Sequence, residues 1–178
     1  GSVQTGESVS VEVRFSSGDT AVNVVEGVIS LPQDVTVAHI STGGSALTLW
    51  PAPAAYSRAT HEVSFSGGVP GEGLPAGSDS LLFTLYLQST QTSTYVLTPS
   101  EFSAYAADGN GTRVNVDSAP MSVSVPGTSG SAYTLPDDSS KPHEVVAVLG
   151  SDASLFEGAP FVSFYGSDEG TGITRYEV

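Results

Sequence analysis

The chain has 178 residues, a net charge of −14, 39% hydrophobic and 13% charged residues, and no cysteine. That length holds about one to two domains, the acid excess repels nucleic acid and anionic membrane surfaces alike, and disulfide, thiol and zinc–thiolate chemistry are excluded. No run of about 18 apolar residues occurs, so nothing in the sequence spans a membrane, and any anchor is expected outside this chain.

The first predicted strand is set by alternation, with Val9, Val11, Val13 and Phe15 opposite Ser8, Ser10, Glu12 and Arg14. After the turn chemistry of Ser16-Ser17-Gly18-Asp19, a second strand runs from Val22 to Leu31 and stops at Pro32. Val35, Val37 and Ile40 predict a third, whose step from two to three residues calls for a bulge near Ala38-His39. Leu47, Leu49 and Trp50 close a fourth, and Pro51-Ala52-Pro53 is expected to break pairing. Glu62 to Ser66 is a fifth, Gly67 to Gly77 a Gly/Pro loop, and Leu81 to Leu87 a sixth. Tyr95–Leu97 and Phe102–Tyr105 read as a broken seventh, Asp108-Gly109-Asn110-Gly111 as a tight turn, and Met121 to Val125 as the closing strand.

Eight or nine short strands with frequent turns and no helical period predict an all-β protein, a jelly-roll sandwich over residues 1–126. Residues 127–142, rich in Gly, Ser, Pro and Asp, read as a solvated linker. Residues 143–178 carry three further strand-like pieces, Val145–Leu149, Phe161–Tyr165 and Ile173–Val178. They are too few for a complete immunoglobulin-like sandwich of about 100 residues, so this unit is expected to be truncated or completed by a partner chain.

Enzyme chemistry finds little support in the residues. Gly127-Thr128-Ser129-Gly130-Ser131 lacks the second glycine of a nucleophile elbow. His39, His61 and His143 have no metal-pair spacing, and no carboxylate pair stands out among 19 acidic residues. His39 is expected outward on its strand and His61 at a strand start. No catalytic residue is assigned. No cofactor is implied, with calcium left open: Asp108 and Asn110 are candidate ligands, against the plainer reading of a hairpin turn in which Asn110-Gly111 supplies positive φ. Asn110-Gly111-Thr112 is also a glycosylation sequon.

Several short motifs carry a family resemblance. Gly6-Glu7-Ser8-Val9-Ser10-Val11, Val22-Asn23-Val24-Val25-Glu26-Gly27-Val28-Ile29, Leu31-Pro32, Val63-Ser64-Phe65-Ser66-Gly67-Gly68, Leu82-Phe83-Thr84-Leu85-Tyr86-Leu87 and the turn Asp108 to Thr112 resemble, in order and spacing, a cohesin domain over about residues 3–126. The tail, with Asp168-Glu169-Gly170-Thr171-Gly172-Ile173, looks like a bacterial immunoglobulin/fibronectin-type repeat. The resemblance implies a non-catalytic binding or adhesion module on a prokaryotic cell surface, and a protein partner that is dockerin-like or another surface protein. It implies a partner-binding sheet face built from the third, fifth and sixth strands, whose outward positions by strand order are Thr36, Ala38, His39, Glu62, Ser64, Ser66, Leu82, Thr84 and Tyr86. Two alternatives remain: a structural subunit self-assembling into a fibre or layer by β-strand addition, and a carbohydrate-binding module, for which Trp50, Tyr56, Tyr86, Tyr95 and Tyr105 are the candidate aromatics.

Overall fold

Period-two alternation becomes strand almost everywhere it was read. The computed structural model describes residues 8–127, Tyr133, 138–151 and 158–173. Its strands are β1 (Val9–Ser16), β2 (Val22–Ser30), β3 (Val35–Ser41), β4 (Leu49–Ser57), β5 (Glu62–Gly68), β6 (Asp79–Ser89), β7 (Ser93–Ala106), β8 (Arg113–Val114), β9 (Met121–Val125), β10 (His143–Gly150) and β11 (Phe161–Ser167). Residue 174 onward, and with it most of the third expected tail strand, lies outside the described residues.

Two antiparallel sheets form the sandwich. One has three strands in the order β1-β6-β3; the other runs β4-β5-β2-β7-β8, with β9 paired to β7. β10 and β11 make a separate hairpin ribbon. The inward parities of both sheets meet in a single core, where Val22, Val25, Val35, Val63, Phe83, Leu85 and Leu87 are fully buried. Phe65 stands at the centre of its aromatic part, edge-on to Phe83 at 4.9 Å and to Phe102 at 5.6 Å. Such T-shaped contacts add to the area these rings remove from water.

Three expectations need correction. Pro51 and Pro53 do not end pairing, because β4 is the edge of its sheet. The strand continues to Ser57 beside β5, its register slipping between Leu49 and Ala52 and again before Ala55. An edge strand needs donors on one side only, so proline is tolerated there. Gly67 and Gly68, read as loop, belong to β5 and pair with Val25 and Val24. The broken seventh strand is one 14-residue strand that changes partner along its length. Ser93–Leu97 pairs with β9, and Thr98–Ala106 pairs with β2.

The join in β7 has a visible cause. Glu101 sits at φ 53, and the β2–β7 register slips between Glu26 and Val28. Gly27 therefore faces the extra residues, and the Phe102 ring occupies the space where its Cβ would be, with ring atoms 2.6–2.8 Å from that position. Glycine here lets the ring drop into the core against Phe65.

Candidate functional site

The expected bulge in β3 decides what the outer face of the three-stranded sheet presents. Val37 pairs with Leu87, His39 with Tyr86, Ile40 with Leu85 and Ser41 with Thr84, so Ala38 is the extra residue. Without it, His39 would share the inward parity of Val37. With it, His39 is turned out beside Tyr86 and Ile40 is turned in against the core. On β6 the outward residues are Thr84, Tyr86 and Gln88, and Thr36 lies opposite Gln88. β1 adds Ser10 opposite Tyr86 and Glu12 opposite Thr84. The larger side chains at the middle of this face are His39 and Tyr86, whose rings lie 5.7 Å apart.

Five of the nine expected face residues, Thr36, Ala38, His39, Thr84 and Tyr86, are thus brought together on β3 and β6. Glu62, Ser64 and Ser66 are not. They lie on β5, in the opposite layer of the sandwich, because the chain crosses between β3 and β4 and the β4–β5 pair joins β2. Strand order along the sequence does not give order within a sheet. Leu82 is also misassigned: it is fully buried in the core. The β1–β6 register runs from Val13–Phe83 directly to Arg14–Leu81, leaving Leu82 as a bulge residue that turns inward with Phe83. Ser10, Glu12 and Gln88 were missed. The polar parity of β1 was legible, but only its pairing with β6 places it on this face.

The chain itself covers part of this surface. Tyr133, from the segment between the sandwich and the hairpin, stacks on His39 at 6.0 Å and lies 5.8 Å from Tyr86. Among the described residues His39 Nε2, Thr48 Oγ1 and Tyr133 Oη are buried with no hydrogen-bond partner. Burial lowers the His39 pKa and raises that of Tyr133, since each charged form loses water.

Next to this cover, the turn after β11 is fastened to the loop after β3. Gly44 N donates to Asp168 O at 2.8 Å and Ser41 Oγ to Gly170 O at 3.3 Å. The approach is so close that a Cβ on Gly43 would overlap the Gly170 carbonyl. Asp168, buried, accepts from Gly170 N at 2.8 Å and Gly172 N at 3.2 Å through Oδ1. Asp138 Oδ2 accepts from Thr171 N at 2.7 Å and Thr171 Oγ1 at 2.8 Å, and its Oδ1 takes the hydroxyl and backbone N–H of Ser140. These bonds, led by the Ser140 hydroxyl, hold the Asp138 carboxyl well below its ordinary pKa. Between the hairpin and the sandwich remains a cavity of about 520 Å³ that His39, Thr48 and Trp50 line from one side and Phe164, Asp168 and Ile173 from the other.

The remaining candidates fall elsewhere. Asp108 accepts from Asn110 N at 2.9 Å and Thr112 Oγ1 at 2.5 Å, which lowers its pKa and closes the exposed turn between β7 and β8. The positive φ values there belong to Gly109 and Gly111, not Asn110. Among the described residues no group of three or more His, Asp or Glu is placed to hold a metal ion. His61 stands in the β4–β5 turn at φ 55, not in a strand, with Nδ1 3.2 Å from the Tyr56 hydroxyl. Trp50 packs against the core beside Phe83, Tyr95 is buried with its hydroxyl 2.7 Å from Ser89 Oγ, and Tyr105 donates to Glu26. The candidate aromatics therefore form no row on one face.

No family model matches the sequence, and no curated protein matches it. Solved structures do. A non-cellulosomal cohesin from the hyperthermophilic archaeon Archaeoglobus fulgidus is 18% identical with a TM-score of 0.52, over 68% of this chain and 82% of that one. The third cohesin of ScaC from Acetivibrio cellulolyticus, in complex with the ScaB dockerin, is 17% identical with a TM-score of 0.52, over 70% of this chain and 92% of that one. The β-sandwich of this chain has the cohesin fold.

Proposed function

We propose that the chain is a non-catalytic protein-binding module of a prokaryotic cell surface, and that its partner docks on the outer face of β1, β6 and β3. The observation that carries this reading is the bulge at Ala38, which spends a ladder position to set His39 outward beside Tyr86 at the middle of an otherwise small, polar sheet face. Aromatic anchors surrounded by small polar residues are the usual distribution of binding energy at an interface. The cohesin fold, seen in one neighbour with a dockerin bound, supports a dockerin-like partner.

The test is titration calorimetry of the full chain with calcium-loaded dockerin modules and with soluble surface proteins of the host. Tyr86→Ala is expected to weaken binding at least about tenfold, the loss of one anchor worth about 1.4 kcal/mol. Ser64→Ala, in the opposite layer, is expected to leave it unchanged. Binding that survives Tyr86→Ala, or that responds to Ser64→Ala instead, would move the interface to the other sheet.

A further inference from the structure

The cavity of about 520 Å³ between hairpin and sandwich lies within the range of roughly 300–1,000 Å³ usual for small-molecule sites. Its two walls are fixed to each other, since Gly44 N donates to Asp168 O at 2.8 Å and Ser41 Oγ to Gly170 O at 3.3 Å. Leu49 and Pro53, on the edge strand β4, are exposed lining residues, so solvent reaches the space along that edge. Leu47 and Asp168, 3% and 6% exposed, are its buried lining.

Charge in this lining has one sign. Asp168 is its acidic residue, and no Lys or Arg takes part. Burial favours the neutral ring of His39, which therefore brings no positive charge. Asp168 Oδ1 accepts from Gly170 N at 2.8 Å and Gly172 N at 3.2 Å, while among the described residues nothing bonds its Oδ2 and the ion pairs are those of Arg14. A buried carboxylate without a counter-charge is costly, and a positive ligand relieves that cost. A metal ion matches poorly, because it takes several ligands at once and no group of three His, Asp or Glu is placed to hold one among the described residues. Much of the remaining lining is apolar or aromatic, with Trp50 on the sandwich side and Phe164 and Ile173 on the hairpin side. Aromatic side chains attract an ammonium group and cover an apolar stem.

We propose that this cavity binds a small free primary amine with an aromatic body, its ammonium on Asp168 and its ring between Trp50 and Phe164. The net charge of −14 concentrates cations around the whole chain; the buried carboxylate and the aromatic walls select this place among the many acidic ones. Tyr86 does not line the cavity, so its loss separates this site from the docking face.

The test is titration of the full chain, followed by calorimetry and amide NMR, with phenethylamine, its neutral counterpart 2-phenylethanol and the anion 3-phenylpropionate at neutral pH. Phenethylamine is expected to saturate, to shift the Gly44, Gly170 and Trp50 indole signals, and to bind at least about tenfold more tightly than the alcohol. The anion should not bind. Asp168→Asn keeps an oxygen for the Gly170 and Gly172 amides and removes the charge, so the amine should fall to the level of the alcohol. Should the turn open in that variant, Leu49→Trp, which narrows the mouth from the sandwich side, should weaken both ligands at least about tenfold. Tyr86→Ala should leave amine binding unchanged. An ammonium can also arrive on a partner's lysine, so Nα-acetyl-lysine methylamide is titrated too and is expected to bind more weakly, having no ring to lie against Trp50 and Phe164. Alcohol that binds as tightly as the amine, amine shifts that spread over the acidic surface without saturating, binding untouched by Asp168→Asn or Leu49→Trp, loss of binding in Tyr86→Ala, or tighter binding of the lysine derivative would each overturn the proposal.

Discussion

The sandwich and the hairpin are built from the same kind of strand and are held by different forces. In the sandwich, alternation is answered by a second layer, and residues such as Val25, Phe83 and Leu85 lose all contact with water. In the hairpin, Val145, Val148 and Leu149 remain largely exposed, and attachment runs through carboxylate and backbone hydrogen bonds at Asp138, Asp168 and Gly44. Apolar alternation therefore buys stability only where a facing sheet exists to receive it. The first region should respond to loss of volume, the second to loss of polar contacts.

The sharpest contrast sets Phe83→Ala against Leu149→Ala. The first is expected to cost about 3–5 kcal/mol in urea unfolding, since it empties the space between Phe65, Trp50 and the β6 bulge. The second should stay within about 0.5 kcal/mol. Equal effects would mean that the hairpin has a core of its own. Next in size is Gly27→Ala, which must push the Phe102 ring out of its seat. About 1–3 kcal/mol of destabilisation is expected, with part of it recovered when Phe102 is also shortened to Leu.

The hairpin should answer to a different change. Asp138→Asn is expected to leave the main unfolding transition in place while speeding hydrogen exchange at the Thr171 amide and cleavage of the 127–142 segment by protease. Because the folded carboxyl titrates below its ordinary value, its contribution is complete above that value. It is lost only as pH falls through the depressed one. The smallest expected effect concerns His39. Its pKa is lowered by burial, so the neutral ring favours the covered arrangement, and the contribution fades as pH drops from 6.5 through the lowered value. Proton NMR should find that Tyr133→Ala moves the His39 pKa back up toward 6.5. An unmoved value would mean that the sandwich alone, not the cover, keeps water from the ring.

Most of the sandwich was legible in the sequence because alternation is a local signal. The bulge at Ala38 could be read from one broken period, and it proved the step that aims His39. The bulge at Leu82 left no such mark, since Leu81, Leu82 and Phe83 are apolar at every position; the register against Arg14 alone reveals it. Sheet membership was illegible for a related reason. Nothing in Glu62-Val63-Ser64-Phe65-Ser66 distinguishes a strand beside β6 from one beside β2. Tyr133 lay in a segment read as linker by composition, which reports solvation on average and is blind to one ring that stacks. Asp138 lay in the segment read as a solvated linker, and Asp168 was noted only as part of a tail motif; their role depends on backbone N–H groups that no side-chain pattern encodes.

The stacking of Tyr133 on His39 and Tyr86 makes the chain an internal competitor for its own surface. Any molecule that settles on those two rings must first displace the third, and its apparent affinity is multiplied by the fraction of time the rings stand uncovered. Being tethered, the competitor is present at the same effective concentration however dilute the protein becomes. Weak, passing contacts are thereby discouraged more than their contact area would suggest, while a visitor that brings its own anchor for His39 and Tyr86 replaces what it removes. The Tyr133 ring thus acts as a threshold on which encounters persist.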